Sequence, residues 1–94
     1  MPTNYQRGVR LEYLLMNQLR ARGYKVMRSA GSRGMIDVHA WNDTESLYYQ
    51  VKNGARAYTE KDIGELLEMP RPPGARVYLA ERDGSKADWN MIEC

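Results

Sequence analysis

The segment RSAGSRGMIDVHAWNDTESLYYQVK, residues 28–52, holds the side chains of this chain best suited to chemistry. Asp37 stands between Ile36 and Val38, and Gln50 and Lys52 flank Val51. Aspartate is depleted from strands and costly to bury without a partner, so its place inside an apolar run points to function. A carboxylate, an amide oxygen and an ammonium on one surface make a set suited to phosphodiester hydrolysis. That reaction needs a cation to neutralise phosphoryl oxygens and lower the pKa of an attacking water, with a further charge near the nucleophile or leaving group. Magnesium suits such a set because it keeps several waters and needs only one or two protein carboxylates. Asp37 is the first candidate ligand, and Glu12 supplies a second carboxylate from an upstream helix. The Gln50 amide oxygen and the Val51 carbonyl complete the candidate metal site, while Lys52 can orient the water or stabilise negative charge in the transition state.

Taken singly, several of these residues have plainer readings. A lysine at a strand end is usually solvated, and Gln50 alone says little. His39 is expected on the sheet surface or in a local hydrogen bond, since the sequence has no second histidine. Met16, Met27, Met35 and Met69 read as gap-filling core residues. The AGSRG stretch lacks the Lys-Ser/Thr ending of a phosphate-binding P-loop and reads as a turn. Cys94 is the only cysteine, which excludes an internal disulfide and a thiolate metal cluster.

The elements that must position these groups follow from periodicity. RGVRLEYLLMNQLRAR, residues 7–22, places Leu11, Leu14, Leu15 and Leu19 at helical spacings, and Gly23 closes the helix. Glu12 falls beside that apolar stripe. YKVMRS reads as a first strand, and MIDVHAW and SLYYQVK as the next two, separated by the turn-forming NDTE. A period of two sends Ile36, Val38 and Ala40 to one face and Asp37, His39 and Trp41 to the other. It likewise sets Leu47, Tyr49 and Val51 against Tyr48, Gln50 and Lys52, so that Asp37, Gln50 and Lys52 are expected on one surface. TEKD signals a second helix, with Thr59 as cap and Asp62 completing a capping box. Ile63, Leu66 and Leu67 form its apolar side, and PRPPG ends it near Met69. ARVYLAER and DWNMIEC supply two last strands, with DGSK as the turn between them. The order αβββαββ is that of a mixed central sheet flanked by helices, in the α/β or α+β class.

At 94 residues the chain has room for one domain, 1–94, with one modest core, so a partner subunit is expected to add stability. It shows no membrane span or secretory apolar run, which leads to an expectation of a soluble protein of the cytoplasm, or of the host cytoplasm if a virus encodes it. The net charge of +2 hides an asymmetry: up to Gly34, Arg7, Arg10, Arg20, Arg22, Lys25, Arg28 and Arg33 oppose a single acid, Glu12. Such a basic surface attracts phosphate backbones. Nothing resembles a base-reading helix or a zinc finger, so shape rather than sequence is the expected basis of recognition.

The ordered set RG, LE, GY, RSAGSRG, IDV and YYQVK resembles the archaeal-type Holliday junction resolvases, members of the PD-(D/E)XK nuclease superfamily with the restriction-endonuclease-like fold. The likeness covers about the first fifty-five residues and continues more loosely through EKDIGELLEM and ARVYLAE. It implies that Glu12, Asp37, Gln50 and Lys52 form the catalytic set, with Glu12 matching the helix carboxylate, Asp37 the motif aspartate and Lys52 the motif lysine. Arg28, Ser29 and Ser32 match a segment that lies beside the active site and contacts DNA phosphates, and Arg7, Arg10 and Arg33 extend that basic surface. The resemblance further implies Mg2+, with Mn2+ able to substitute, and a two-fold homodimer cutting opposed strands of a four-way junction. The chain departs from the pattern at Gln50, where the usual motif has an acid, which removes one negative charge and weakens cation affinity. It is also shorter towards its C-terminus than many relatives. Two other readings are a PD-(D/E)XK nuclease acting on flaps, forks or duplex, and a non-catalytic DNA-binding relative.

Overall fold

The protein is described from a computed structural model, in which residues 4–29, 35–54, 58–83 and 88–94 are placed. Helix α1 (Asn4–Ala21) is followed by β1 (Lys25–Arg28), β2 (Val38–Trp41), β3 (Ser46–Asn53), α2 (Glu60–Glu68), β4 (Ala75–Arg82) and β5 (Asn90–Glu93). The expected order αβββαββ is therefore the observed one. The AGSRG turn and most of DGSK lie outside the described residues.

Helix α1 stops where Gly23 adopts a φ of 94°. The Tyr24 N–H then donates to the Leu19 carbonyl at 3.1 Å and the Gly23 N–H to the Arg20 carbonyl at 3.0 Å. This nested pair is a Schellman ending, which needs a residue that tolerates the left-handed region. Helix α2 starts with the expected capping box between Thr59 and Asp62. It stops at Met69, whose extended backbone is what a following proline enforces. Arg71 then fans its guanidinium over the carbonyls of Leu66, Leu67, Met69 and Cys94, satisfying acceptors that the helix end leaves open.

The strands form one sheet in the order β1-β2-β3-β4-β5. All neighbours run antiparallel except β3 and β4, which are parallel. A parallel pair needs a crossover rather than a hairpin, and α2 provides it. Helix α1 covers one face, where Leu15, Met16 and Leu19 pack on Val38, Ala40, Leu47, Tyr49 and Ala80. Helix α2 covers the other through Leu66, which is buried with Val77 and Leu79. Strand β4 is thus enclosed on both faces and reads as the nearly continuous apolar run VYLA. Both outer strands, β1 and β5, are only four residues long.

Four details differ from the periodic reading. Leu14 is only partly buried, and Met16 takes the inward position instead. Leu67 is 60% exposed, so the apolar side of α2 is narrower than Ile63, Leu66 and Leu67 together. Met27 is 58% exposed because α2 does not extend over β1 and β2. The fourth detail concerns Ile36, which packs with the α2-side cluster rather than with Val38 and Ala40. Strict alternation fails between Ile36 and Val38, and the residue between them is Asp37.

Candidate functional site

The failure of alternation has a backbone cause. Val38 lies in register opposite Tyr49, and the Asp37 N–H donates to that same Tyr49 carbonyl at 2.8 Å. Two residues facing one is a β-bulge, a device that bends a strand and re-aims a side chain. Asp37 therefore stands just ahead of β2, not within a regular strand as the sequence pattern suggests. Its carbonyl accepts from the Ser29 N–H at 2.9 Å, and its Oδ2 accepts from the Val51 N–H at 2.8 Å. Backbone contacts to the end of β1 and to β3, with the Val51 N–H on the carboxylate itself, thus fix Asp37 at the end of the meander.

Helix α1 brings the second carboxylate. Glu12 Oε1 lies 3.4 Å from Arg28 Nη1 of β1, and the guanidinium also sits over the Tyr13 ring, 5.3 Å from its centroid. Burial raises the Glu12 pKa above the ordinary 4.5 and the nearby charge of Asp37 raises it further, while Arg28 opposes both. Asp37 is also raised, by burial, against the lowering effects of the Val51 N–H, Lys52 and Arg28. Two carboxylates that each find ionisation harder in the fold, and that repel one another, define a place where a cation is favoured.

Strand β3 contributes the rest. Gln50 and Lys52 have the parity of Tyr48, which packs on the α2 side. The Gln50 Oε1 is buried and accepts no hydrogen bond among the described residues. An uncompensated carbonyl oxygen is expensive in a protein interior, so a native example calls for a reason. Lys52 Nζ lies 3.7 Å from Asp62 Oδ2 at the start of α2.

Among the described residues, no three His, Cys, Asp or Glu side chains cluster as a metal site. Gln50, whose amide lies outside those residue types, is the third candidate donor. A hard divalent cation accepts carbonyl oxygens beside carboxylates. Glu12, Asp37 and the orphaned Gln50 oxygen are thus a donor set of the right chemistry.

Of the remaining candidates, Arg10 and Ser29 are exposed, on α1 and just after β1. Arg7 lies within α1, while Ser32 and Arg33 fall outside the described residues. Val51 touches Asp37 through its N–H, a contact that the sequence does not signal. His39 behaves as expected, with Nε2 2.9 Å from Ser46 Oγ and its ring stacked on Tyr48. Tyr13 and Asp62 join this surface without a site motif of their own. Tyr13 follows Glu12 directly, but only the fold brings Arg28 over it. The capping-box motif finds Asp62, yet its approach to Lys52 spans the β3–α2 connection.

A five-stranded mixed sheet with one helix on each face and acid, acid and lysine at the bulged end is a restriction-endonuclease-like α+β arrangement. The same architecture occurs in the Holliday junction resolvase Hjc of the archaeal hyperthermophile Archaeoglobus fulgidus, with a TM-score of 0.71 and 24% identity over 89% of this chain and 73% of that one. The chain belongs to the archaeal Holliday junction resolvase (Hjc) family, whose model matches residues 3–94. A crossover junction endodeoxyribonuclease Hjc from Methanocaldococcus jannaschii is 31% identical over 83 residues, 85% of this chain. The chain spans 62% of that relative's length.

Proposed function

We propose that this protein is a divalent-metal-dependent endonuclease that resolves four-way DNA junctions, acting as a homodimer within the cytoplasm. The observation that carries the reading is the buried Gln50 oxygen that no described residue satisfies, in a family of junction resolvases and one residue from the amide that holds Asp37. In this reading Glu12, Asp37 and Gln50 hold the cation, with the Val51 carbonyl as a further donor, and Mg2+ or Mn2+ fills the place. When bound, the ion neutralises phosphoryl oxygens and lowers the pKa of an attacking water.

The protein's own groups do the remaining work. The Val51 N–H keeps the Asp37 carboxylate turned into the site. Arg28 holds Glu12 and offers its other guanidinium edge to phosphate. Lys52 stabilises the negative charge that builds as water adds to phosphorus and the P–O bond to one strand breaks. Arg7, Arg10, Ser29, Ser32 and Arg33 contact backbone phosphates, which orient the junction without reading bases. A two-fold dimer presents one site to each of two equivalent strands.

A second reading has its own support: Gln50 replaces the acid of the usual motif, which favours a relative that binds junctions without cutting them. Incubating the protein with a labelled immobile junction and a matching duplex, in Mg2+, Mn2+ or chelator, separates these cases. Paired symmetric nicks that need metal and vanish in Asp37→Asn are expected. Tight junction binding without nicks in either metal refutes catalysis, and equal cutting of duplex, flaps or forks refutes junction selectivity.

A further inference from the structure

Lys52 is held by a carboxylate that no nuclease motif marks. Asp62 sits in the first turn of α2, where its Oδ2 accepts the Thr59 N–H at 2.7 Å and the Thr59 hydroxyl at 3.2 Å. The same oxygen lies 3.7 Å from Lys52 Nζ, with the two side chains only 29% and 21% exposed for Lys52 and Asp62. An ordinary surface ion pair loses much of its value to the entropy of ordering two long side chains. Here the acid is short and already fixed by the cap, so only the lysine stem remains to be ordered. The partial positive charge of the helix N-terminus further favours an anion at this point. The Asp62 pKa is lowered, first by the Thr59 N–H and then by Lys52 among other groups, so the carboxylate is charged at neutral pH. Lys52 also acts on Asp37, whose carboxyl it lowers. The ammonium therefore pairs with an acid of a helix cap while its charge reaches an acid of the proposed metal site.

We infer that Asp62 is a positioning residue: by holding the Lys52 ammonium, it sets where that charge meets the scissile phosphate and ties the start of α2 to the chemistry. This rests on the nuclease reading above. A lysine carries a compact charge on a flexible four-carbon stem, and an ammonium displaced by an ångström loses most of its value at a transition state. The capping box thus serves two functions through one oxygen atom.

Two variants separate the functions. Asp62→Asn keeps the shape and an oxygen that can accept the Thr59 N–H, but removes the charge facing Lys52. Thr59→Ala weakens the cap and leaves the carboxylate. Single-turnover cleavage of the junction, junction affinity, and the rate at which an amine-acylating reagent labels Lys52, read by peptide mass spectrometry, are measured for both. Asp62→Asn is expected to slow cleavage roughly tenfold to a hundredfold with junction affinity unchanged, and to increase Lys52 labelling. Asp62→Glu should recover part of the rate. Thr59→Ala, which keeps the backbone N–H on the Asp62 carboxylate, should lower the melting temperature and slow cleavage far less than Asp62→Asn does. Parental cleavage in Asp62→Asn, or an equal loss in Thr59→Ala, overturns the inference. If the parent protein cuts no DNA, the nuclease reading fails by itself, and equal Lys52 labelling in parent and Asp62→Asn then refutes the positioning contact separately.

Discussion

The Gln50 Oε1 makes the metal-free protein less stable than its packing allows, and Gln50→Met measures by how much. A buried acceptor without a partner costs about 1–3 kcal/mol in lost hydration. Methionine has a similar length and flexibility and brings no oxygen to satisfy. Any hydrogen bond given up by the Gln50 amide nitrogen costs about 0.5–1.5 kcal/mol, which leaves a net gain of about 1 kcal/mol. For a domain of this size that raises the melting temperature by about 4–8 °C. The assay is thermal unfolding followed by circular dichroism, first with chelator and then with millimolar Mn2+. The parent should be stabilised by the cation through linkage, and Gln50→Met should start higher yet respond much less. A lower melting temperature in chelator, together with an undiminished response to Mn2+, would refute the view that this oxygen is kept bare for a cation.

Three further outcomes are expected. Burial raises Glu12 and Asp37 above their ordinary 4.5 and 3.8, so the folded state holds their protons more tightly than the unfolded chain does. Their contribution to metal-free stability therefore falls as pH rises through the window from those ordinary values to the raised ones; melting curves in chelator from about pH 4 to 7 should show Asp37→Asn flattening this decline. Leu66→Ala removes a side chain with no exposure from the centre of the α2-side core. It should cost about 2–5 kcal/mol by urea denaturation. Arg10→Ala removes one exposed phosphate-binding candidate, and should reduce the slope of log affinity against log salt by about 0.9 while weakening junctions and duplexes alike.

The C-terminal end of α1 and both ends of α2 were legible because their signals are local, whereas α1 begins at Asn4 and not at Arg7. Gly23 closes α1 within one turn, and Thr59 and Asp62 cap α2 across three residues. The element order αβββαββ was legible from alternation and helical periodicity, whereas the sheet order and the parallel pairing of β3 with β4 depend on tertiary packing. The four candidate catalytic residues were legible as types in motif order, but their arrangement was not. A bulge adds a residue to one strand without changing composition, so a two-residue period runs unbroken through Asp37 and puts Ile36 on the α1 side, although it packs on the α2 side. The pairings of Arg28 with Glu12 and of Lys52 with Asp62 depend on how the helices lie against the sheet, which one-dimensional patterns do not encode.

The short outer strands have a consequence for self-association. Strand β1 carries Lys25 and Arg28, and β5 ends in Glu93. Brief, charged borders offer little template for a foreign backbone, which is how natural sheets resist runaway growth. Two copies meeting border to border would gain only a few main-chain bonds and would have to desolvate those charges. The architecture therefore steers any dimer away from a continuous ten-strand sheet and towards contacts between faces, and it limits the propensity of the folded protein to polymerise.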